Sequence, residues 1–204
     1  MFTVKQTKKT KQFELFNEAG EVAQKVCKSC QQPKLAEDFP KYANGMLRPD
    51  CQPCFKKLQS KYVQETKDKR TVYKQRERAR KLNLPDSFTE EEYLELKSFA
   101  AGKCMISGKE VELEIDHFQA LSKGWLGSTK GNMILVSEEV NQAKRTMSLF
   151  EFLQSPRSKG LVDKEQLQRT LEYLAQANGM SMNEYIQFLY DCEEFAERNK
   201  QFWG

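Results

Sequence analysis

Histidine is almost absent from this chain: His117 is the only one among 204 residues. Chemistry near neutral pH that needs an imidazole must therefore use that one side chain. No run of about 18 apolar residues occurs, which excludes an ordinary membrane-spanning helix. The opening residues, Met1-Phe2-Thr3-Val4-Lys5, lack the apolar stretch of a secretion signal, so the protein is expected in the cytoplasm. No internal repeat is visible. Hydrophobic residues make up 39% of the chain and charged residues 30%, a balance that describes one or two small soluble domains with a modest core. Net charge is only +4, but the positive residues cluster, and clustering decides what a surface attracts.

Six cysteines are present, and in a reducing compartment they point to metal rather than disulfides. Four form two C-x-x-C pairs, Cys27 with Cys30 and Cys51 with Cys54, a spacing that suits a tetrahedral four-thiolate zinc site. Apolar residues between the pairs are sparse, mainly Leu35, Phe39, Tyr42 and Leu47. Zinc is therefore expected to supply the stability that a core cannot. With sulfur at all four positions the expected zinc is structural. Ahead of it, Lys5, Lys8, Lys9 and Lys11 precede Phe13, Leu15, Phe16 and a turn near Asn17–Gly20. Residues 1–25 read as a basic arm followed by a short strand pair, or as a solvated tail, which is the reading preferred here.

From Cys54 to Leu82 there is neither proline nor glycine. Lys56, Lys57, Lys61, Arg70, Lys74, Arg76 and Arg78 predict one long basic helix bridging two domains, with a thin apolar stripe of Leu58, Tyr62, Val72, Tyr73 and Ala79. Asn83-Leu84-Pro85-Asp86 ends it. A charge run is commonly a solvated face, but beside a zinc module contact with nucleic-acid phosphates becomes the better reading. Thr89 with Glu92 is a capping box that opens a packing helix ending at Ala101-Gly102.

Val111, Leu113 and Ile115 alternate like a half-buried strand that runs into Asp116-His117. Asn132 opens a second apolar run, Met133 to Val136, and Ser137-Glu138-Glu139 starts a helix carrying Asn141 and Lys144. Strand, loop, strand and helix would bring Asp116, His117 and Asn141 together. An imidazole suits the activation of water near neutral pH, and oxygens of Asp and Asn suit a hard cation such as Mg²⁺. In the intervening loop, Lys123 and Lys130 could follow a nucleic-acid backbone, while Trp125 serves equally as a contact or a core plug. Arg145 could neutralise phosphate charge beside the site.

Asp116-His117, Asn132 and Asn141, in this order and spacing, resemble the motif of the HNH (His-Me finger, ββα-metal) nucleases, over roughly residues 104–150. The resemblance implies a divalent-metal-dependent endonuclease that hydrolyses DNA phosphodiester bonds. By position it implies His117 as general base, Asp116 and Asn141 as ligands of Mg²⁺ or Mn²⁺, Asn132 as the residue fixing the loop, and Lys144 as a frequent family lysine. The cysteine module is similar to zinc ribbons that precede HNH domains in phage-type endonucleases. Cys104-Met-Ile-Ser107 departs from the second knuckle of many members, so no second zinc is expected.

Ser148 with Glu151 is another capping box, and Asp163–Ala177 with the segment from Ser181 predicts a helical hairpin, read as a packing cap or a surface for a homodimer or protein partner. The expected whole is a mostly helical α+β protein. An arm and four-cysteine zinc module span residues 1–55, a basic linker helix 56–84, a ββα-metal nuclease core 85–155, and a helical region 156–204. Its expected partner is DNA. Two other readings stay open: a catalytically inactive zinc-dependent nucleic-acid-binding protein, and a nuclease acting on RNA or branched DNA.

Overall fold

The computed structural model describes the backbone of residues 2–203 and the side chains of residues 2–198. It is an α+β fold with seven α-helices and two small antiparallel sheets among the described residues. The chain divides into two compact units, residues 1–67 and 68–204. No described helix is long and apolar enough to cross a membrane.

In the first unit, β1 (Thr3–Gln6), β2 (Phe13–Phe16), β3 (Val22–Val26) and β4 (Pro33–Leu35) form an antiparallel meander in chain order. The segment preferred as a solvated tail thus holds three strands, one more than the strand pair also considered for it. Its strands are four or five residues long and carry lysines, so their alternation barely stands out. The meander is tied down by Gln12, 5% exposed. Its amide Nε2 donates to the carbonyls of Val26 at 2.6 Å and Pro49 at 2.7 Å, just ahead of each cysteine pair.

The expected long basic helix is two helices. α1 (Gln52–Glu65) starts from Cys51 with proline in its first turn, and α2 (Lys67–Arg80) follows Thr66. Thr66 leaves helical geometry at φ −105°, ψ 8°, and its hydroxyl donates to the Tyr62 carbonyl at 2.7 Å. A threonine hydroxyl competing for a backbone acceptor is a local break that needs neither proline nor glycine. α1 buries none of its residues, whereas α2 turns Val72, Gln75 and Ala79 inward.

In the second unit, α3 (Glu90–Ala100) begins at the expected capping box. Glu92 N donates to Thr89 Oγ1 at 3.1 Å and Thr89 N to Glu92 Oε2 at 2.9 Å. β5 (Leu113–His117) pairs antiparallel with β6 (Met133–Ser137), setting Asp116 opposite Ile134 and His117 opposite Met133. α4 (Glu138–Lys144) leaves β6 at once, with Ser137 Oγ accepting from Val140 N at 3.2 Å. α5 (Leu149–Gln154), α6 (Lys164–Ala177) and α7 (Met182–Trp203) follow, α6 and α7 packing as a hairpin. Every residue of β6 is buried, at the centre of a core with Leu96, Ile106, Phe118, Phe152 and Leu174. At roughly 1.5–3 kcal/mol per large side chain, this burial is the main stabilising term of the unit.

The loop from β5 to β6 is pinned as well. Ser128 N donates to Pro85 O at 2.8 Å and Phe88 N to Ser128 O at 2.9 Å. Gly127 lies so close to the Pro85 backbone that a Cβ would fall 1.8 Å from that carbonyl oxygen. Only glycine fits there.

Candidate functional site

Two clusters of reactive side chains are built by this fold, one in each unit. In the first, the ligand atoms of Cys27, Cys30, Cys51 and Cys54 all lie within 4.8 Å of one another. Four thiolates around one zinc stand about 3.8 Å apart, the edge of a tetrahedron with 2.3 Å bonds, and Cys30 Sγ to Cys51 Sγ measures 4.0 Å. The cluster could hold a metal ion such as zinc. Its backbone supports the ligands: Cys51 N donates to Cys27 Sγ at 3.3 Å. Without a cation the thiols conflict. Burial pushes Cys27 up, but hydrogen bonds from the Cys30 and Cys51 backbone outweigh it and bring the thiol down to about 7. The hydrogen bond with Cys51, together with burial, pushes Cys54 up to about 12. A bound divalent ion removes the conflict by favouring the thiolate at all four positions.

The second cluster surrounds His117, which is 2% exposed at the end of β5. Its Nε2 lies 2.8 Å from Ser128 Oγ, and Ser128 Oγ donates to the Gln75 carbonyl of α2 at 2.7 Å. A hydroxyl has one proton, already given to Gln75, so toward the imidazole it can only accept. Nε2 therefore carries the hydrogen and Nδ1 the lone pair, an assignment that follows from the bonding network. Burial lowers the imidazole from 6.5 to about 4, helped by the charges of Arg78 and Lys144 and opposed by Asp116. The ring is neutral at pH 7. Among the described residues Nδ1 has no hydrogen-bond partner, and His117 is one of the residues lining the neighbouring cavity.

Glu114 and Asp116 are two apart on β5 and share a strand face, while Asn141 and Lys144 are three apart on α4 and share a helix face. The faces meet as a ladder. Asn141 Nδ2 donates to Glu114 Oε2 at 2.7 Å. Lys144 Nζ, 2% exposed, bonds Asp116 Oδ2 at 2.9 Å and the His117 carbonyl at 2.8 Å. Asn141 is thus hydrogen-bonded to Glu114 and not to Asp116. Asn132, wholly buried, holds the loop by three bonds: its Oδ1 accepts from Gln119 N at 2.8 Å, and its Nδ2 donates to Gln119 O and Gly127 O at 3.0 and 2.9 Å.

A cavity of about 370 Å³ opens at His117, with Asp116, Arg78, Lys81, Ser122 and Arg145 among its lining residues. Of the basic residues read as DNA-facing, Lys56, Lys57, Lys61, Arg70, Lys74, Arg78 and Arg145 are exposed and Arg76 is half-buried against Asp86. Lys123 is not on that surface: it is buried and paired with Glu151 at 2.6 Å, which holds the loop against α5. Lys130 is paired with Glu95. Trp125 is half exposed and meets the Phe195 ring edge-on at 4.7 Å. Cys104 is fully buried, and the Ser107 backbone donates to its sulfur at 3.4 Å. Sequence reasoning missed Ser128 and Gln75, because the link between them is a hydroxyl and a main-chain carbonyl 53 residues apart. Glu114 was findable, since it precedes Asp116 by one strand period. In comparisons with known proteins, no family model matches the chain and no curated protein matches it.

Removal of metal with a chelator is expected to unfold residues 1–67, whose buried apolar cluster among the described residues is Cys27, Phe39 and Cys51. Backbone NMR should then lose dispersion for that unit and keep it for residues 68–204; an unchanged first unit would contradict the metal's role. A second expectation concerns pH. The folded protein binds the His117 proton more weakly than the unfolded chain, so the stability of the neutral ring is fully present above pH 6.5 and is lost as pH falls toward 4. The loss amounts to about 3 kcal/mol. Urea unfolding of wild type and His117→Gln should show a stability difference that shifts by that amount between pH 7 and pH 4. Parallel curves would refute it.

Proposed function

We propose that this protein is a divalent-metal-dependent endonuclease of the HNH kind, hydrolysing phosphodiester bonds in DNA. One observation carries the reading. The only imidazole of the chain is held neutral, with its Nε2 engaged by Ser128, its Nδ1 without a protein partner among the described residues, and beside it a cavity lined by Arg78, Lys81 and Arg145. In this role Nδ1 takes a proton from the attacking water, and the basic lining receives the phosphate.

Asp116 and Asn141 would hold Mg²⁺ or Mn²⁺. Their oxygens are hard donors of the right class, and Asp116 Oδ1 and Asn141 Oδ1 have no protein partner among the described residues. When bound, the cation supplies stabilisation of charge on the phosphate and the leaving oxygen. Exposed Lys56, Lys57 and Lys61 on α1, with Arg70 and Lys74 on α2, fit contact with a phosphate backbone. One histidine site serves one strand at a time, so double-strand cutting needs two copies or successive nicks.

A second reading, an inactive nucleic-acid-binding module, is favoured by one feature: Lys144 already neutralises an Asp116 oxygen that a metal would use. Supercoiled plasmid incubated with Mg²⁺ or Mn²⁺ separates the two. The wild type is expected to nick or linearise it, and His117→Ala to lose roughly 10²–10⁴-fold in rate, the usual contribution of a general base, while gel-shift binding persists. Binding without product from the wild type would leave the inactive module; full activity in the variant would remove His117 as the base.

A further inference from the structure

We propose that Asn178, in the turn between α6 and α7, is a positioning residue for His117: it holds the β5–β6 loop at Gly131 and so fixes the imidazole. The proposal rests on the nuclease reading only for what an aimed imidazole does. Asn178 ends α6 and is half-buried. Its Nδ2 donates to Leu174 O at 2.8 Å and to Gly131 O at 3.0 Å, 47 residues away in sequence. An asparagine at a helix end is ordinarily a cap, but α6 does not need this one. Asn178 N already donates to the Leu174 and Ala175 carbonyls at 3.1 Å, and Gly179 N to Gln176 O at 3.0 Å. What the side chain alone provides is the bond to the loop.

The loop is shaped to receive it. Gly131 is buried, and a Cβ there would fall 2.3 Å from the Asn178 amide. The Gly131 carbonyl belongs to the peptide that leads into Asn132, whose own N–H donates to Thr129 O at 3.0 Å. Both polar atoms of that peptide are therefore held, which fixes where the Asn132 side chain starts. Asn132 Nδ2 donates to Gly127 O at 2.9 Å. Ser128 is next in the chain, and its Oγ meets His117 Nε2 at 2.8 Å. Every link is a hydrogen bond or a peptide bond, so the network is contiguous from α6 to the imidazole.

α7 grips the same loop on the other side of Ser128. Phe195 stands edge-on to Trp125 at 4.7 Å. Trp125 holds φ 67°, a left-handed backbone that a bulky side chain adopts only under constraint. The helical hairpin is thereby part of the support of the His117 site.

Gly131→Ala and Asn178→Ala test this in the full-length chain, with Asp163→Ala as control. Asp163 caps the far end of α6, accepting from Gln166 N at 2.8 Å, so its loss weakens the helix without touching the loop. Gly131→Ala drives the Asn178 amide off the loop and leaves the main-chain bonds at the end of α6 in place. Urea unfolding reads stability, and ¹⁵N spectra of the histidine at pH 7 read the tautomer. Both loop variants should show an Nδ1–H population, absent from the wild type, of about a tenth, a size that the loss of one hydrogen bond permits. In plasmid nicking with Mg²⁺ they should lose about tenfold in kcat and keep KM, as misplacement of a reacting group does. Asp163→Ala should lose stability and keep one tautomer. Should Asn178→Ala unfold, Gly131→Ala alone decides. Only Nε2–H in the loop variants, wild-type kcat in them, or a second tautomer in the wild type or in Asp163→Ala would each overturn the proposal. If no protein cuts DNA and the loop variants still show the second tautomer, hydrolysis falls and the positioning stands.

Discussion

A single serine hydroxyl links three distant parts of the second unit. Ser128 gives its proton to the Gln75 carbonyl and receives one from His117. The bond to Gln75 draws the β5–β6 loop onto α2, and the bond from the imidazole sets which ring nitrogen is free. Around it the supports are redundant: Asn132 spans the loop, Gly127 lies against the Pro85 backbone, and Lys144 holds the His117 carbonyl from α4. Packing and these hydrogen bonds fix the tautomer and aim of the imidazole, as the proposed role of general base requires.

The first unit works by a different rule. Its apolar interior is too small to order 67 residues against their conformational entropy. The sulfur cluster and the Gln12 amide do the joining that a hydrophobic core does elsewhere. Gln12 reaches the main chain ahead of both cysteine pairs, so meander and cysteine cluster support each other.

Local signals were legible. Thr89 with Glu92 and Ser148 with Glu151 are capping boxes because hydroxyl and carboxylate stand three apart. The period-2 pattern into Asp116-His117 and the apolar run after Asn132 set the two strands, and the cysteine spacing marked the four-thiol cluster. What was hidden depends on main-chain atoms or on geometry reached through folding. Thr66 breaks a helix with no proline or glycine nearby. Lys123, in a loop rich in lysine and glycine, looked like a surface residue until Glu151 took it inside. Asn141 was expected beside Asp116, and its Glu114 partner follows from the strand–helix ladder, which spacing alone cannot show.

Because the chain has one histidine, the central claim reduces to one spectrum. Protein labelled with ¹⁵N at histidine alone should give, at pH 7, one protonated pyrrole-type nitrogen assigned to Nε2 and one unprotonated pyridine-type nitrogen assigned to Nδ1. That pattern should hold down to about pH 5, since burial keeps the ring neutral to about 4. An Nδ1–H tautomer, or a ring that protonates near 6.5, would mean that Ser128 does not orient His117, and the proposed base would lose its footing.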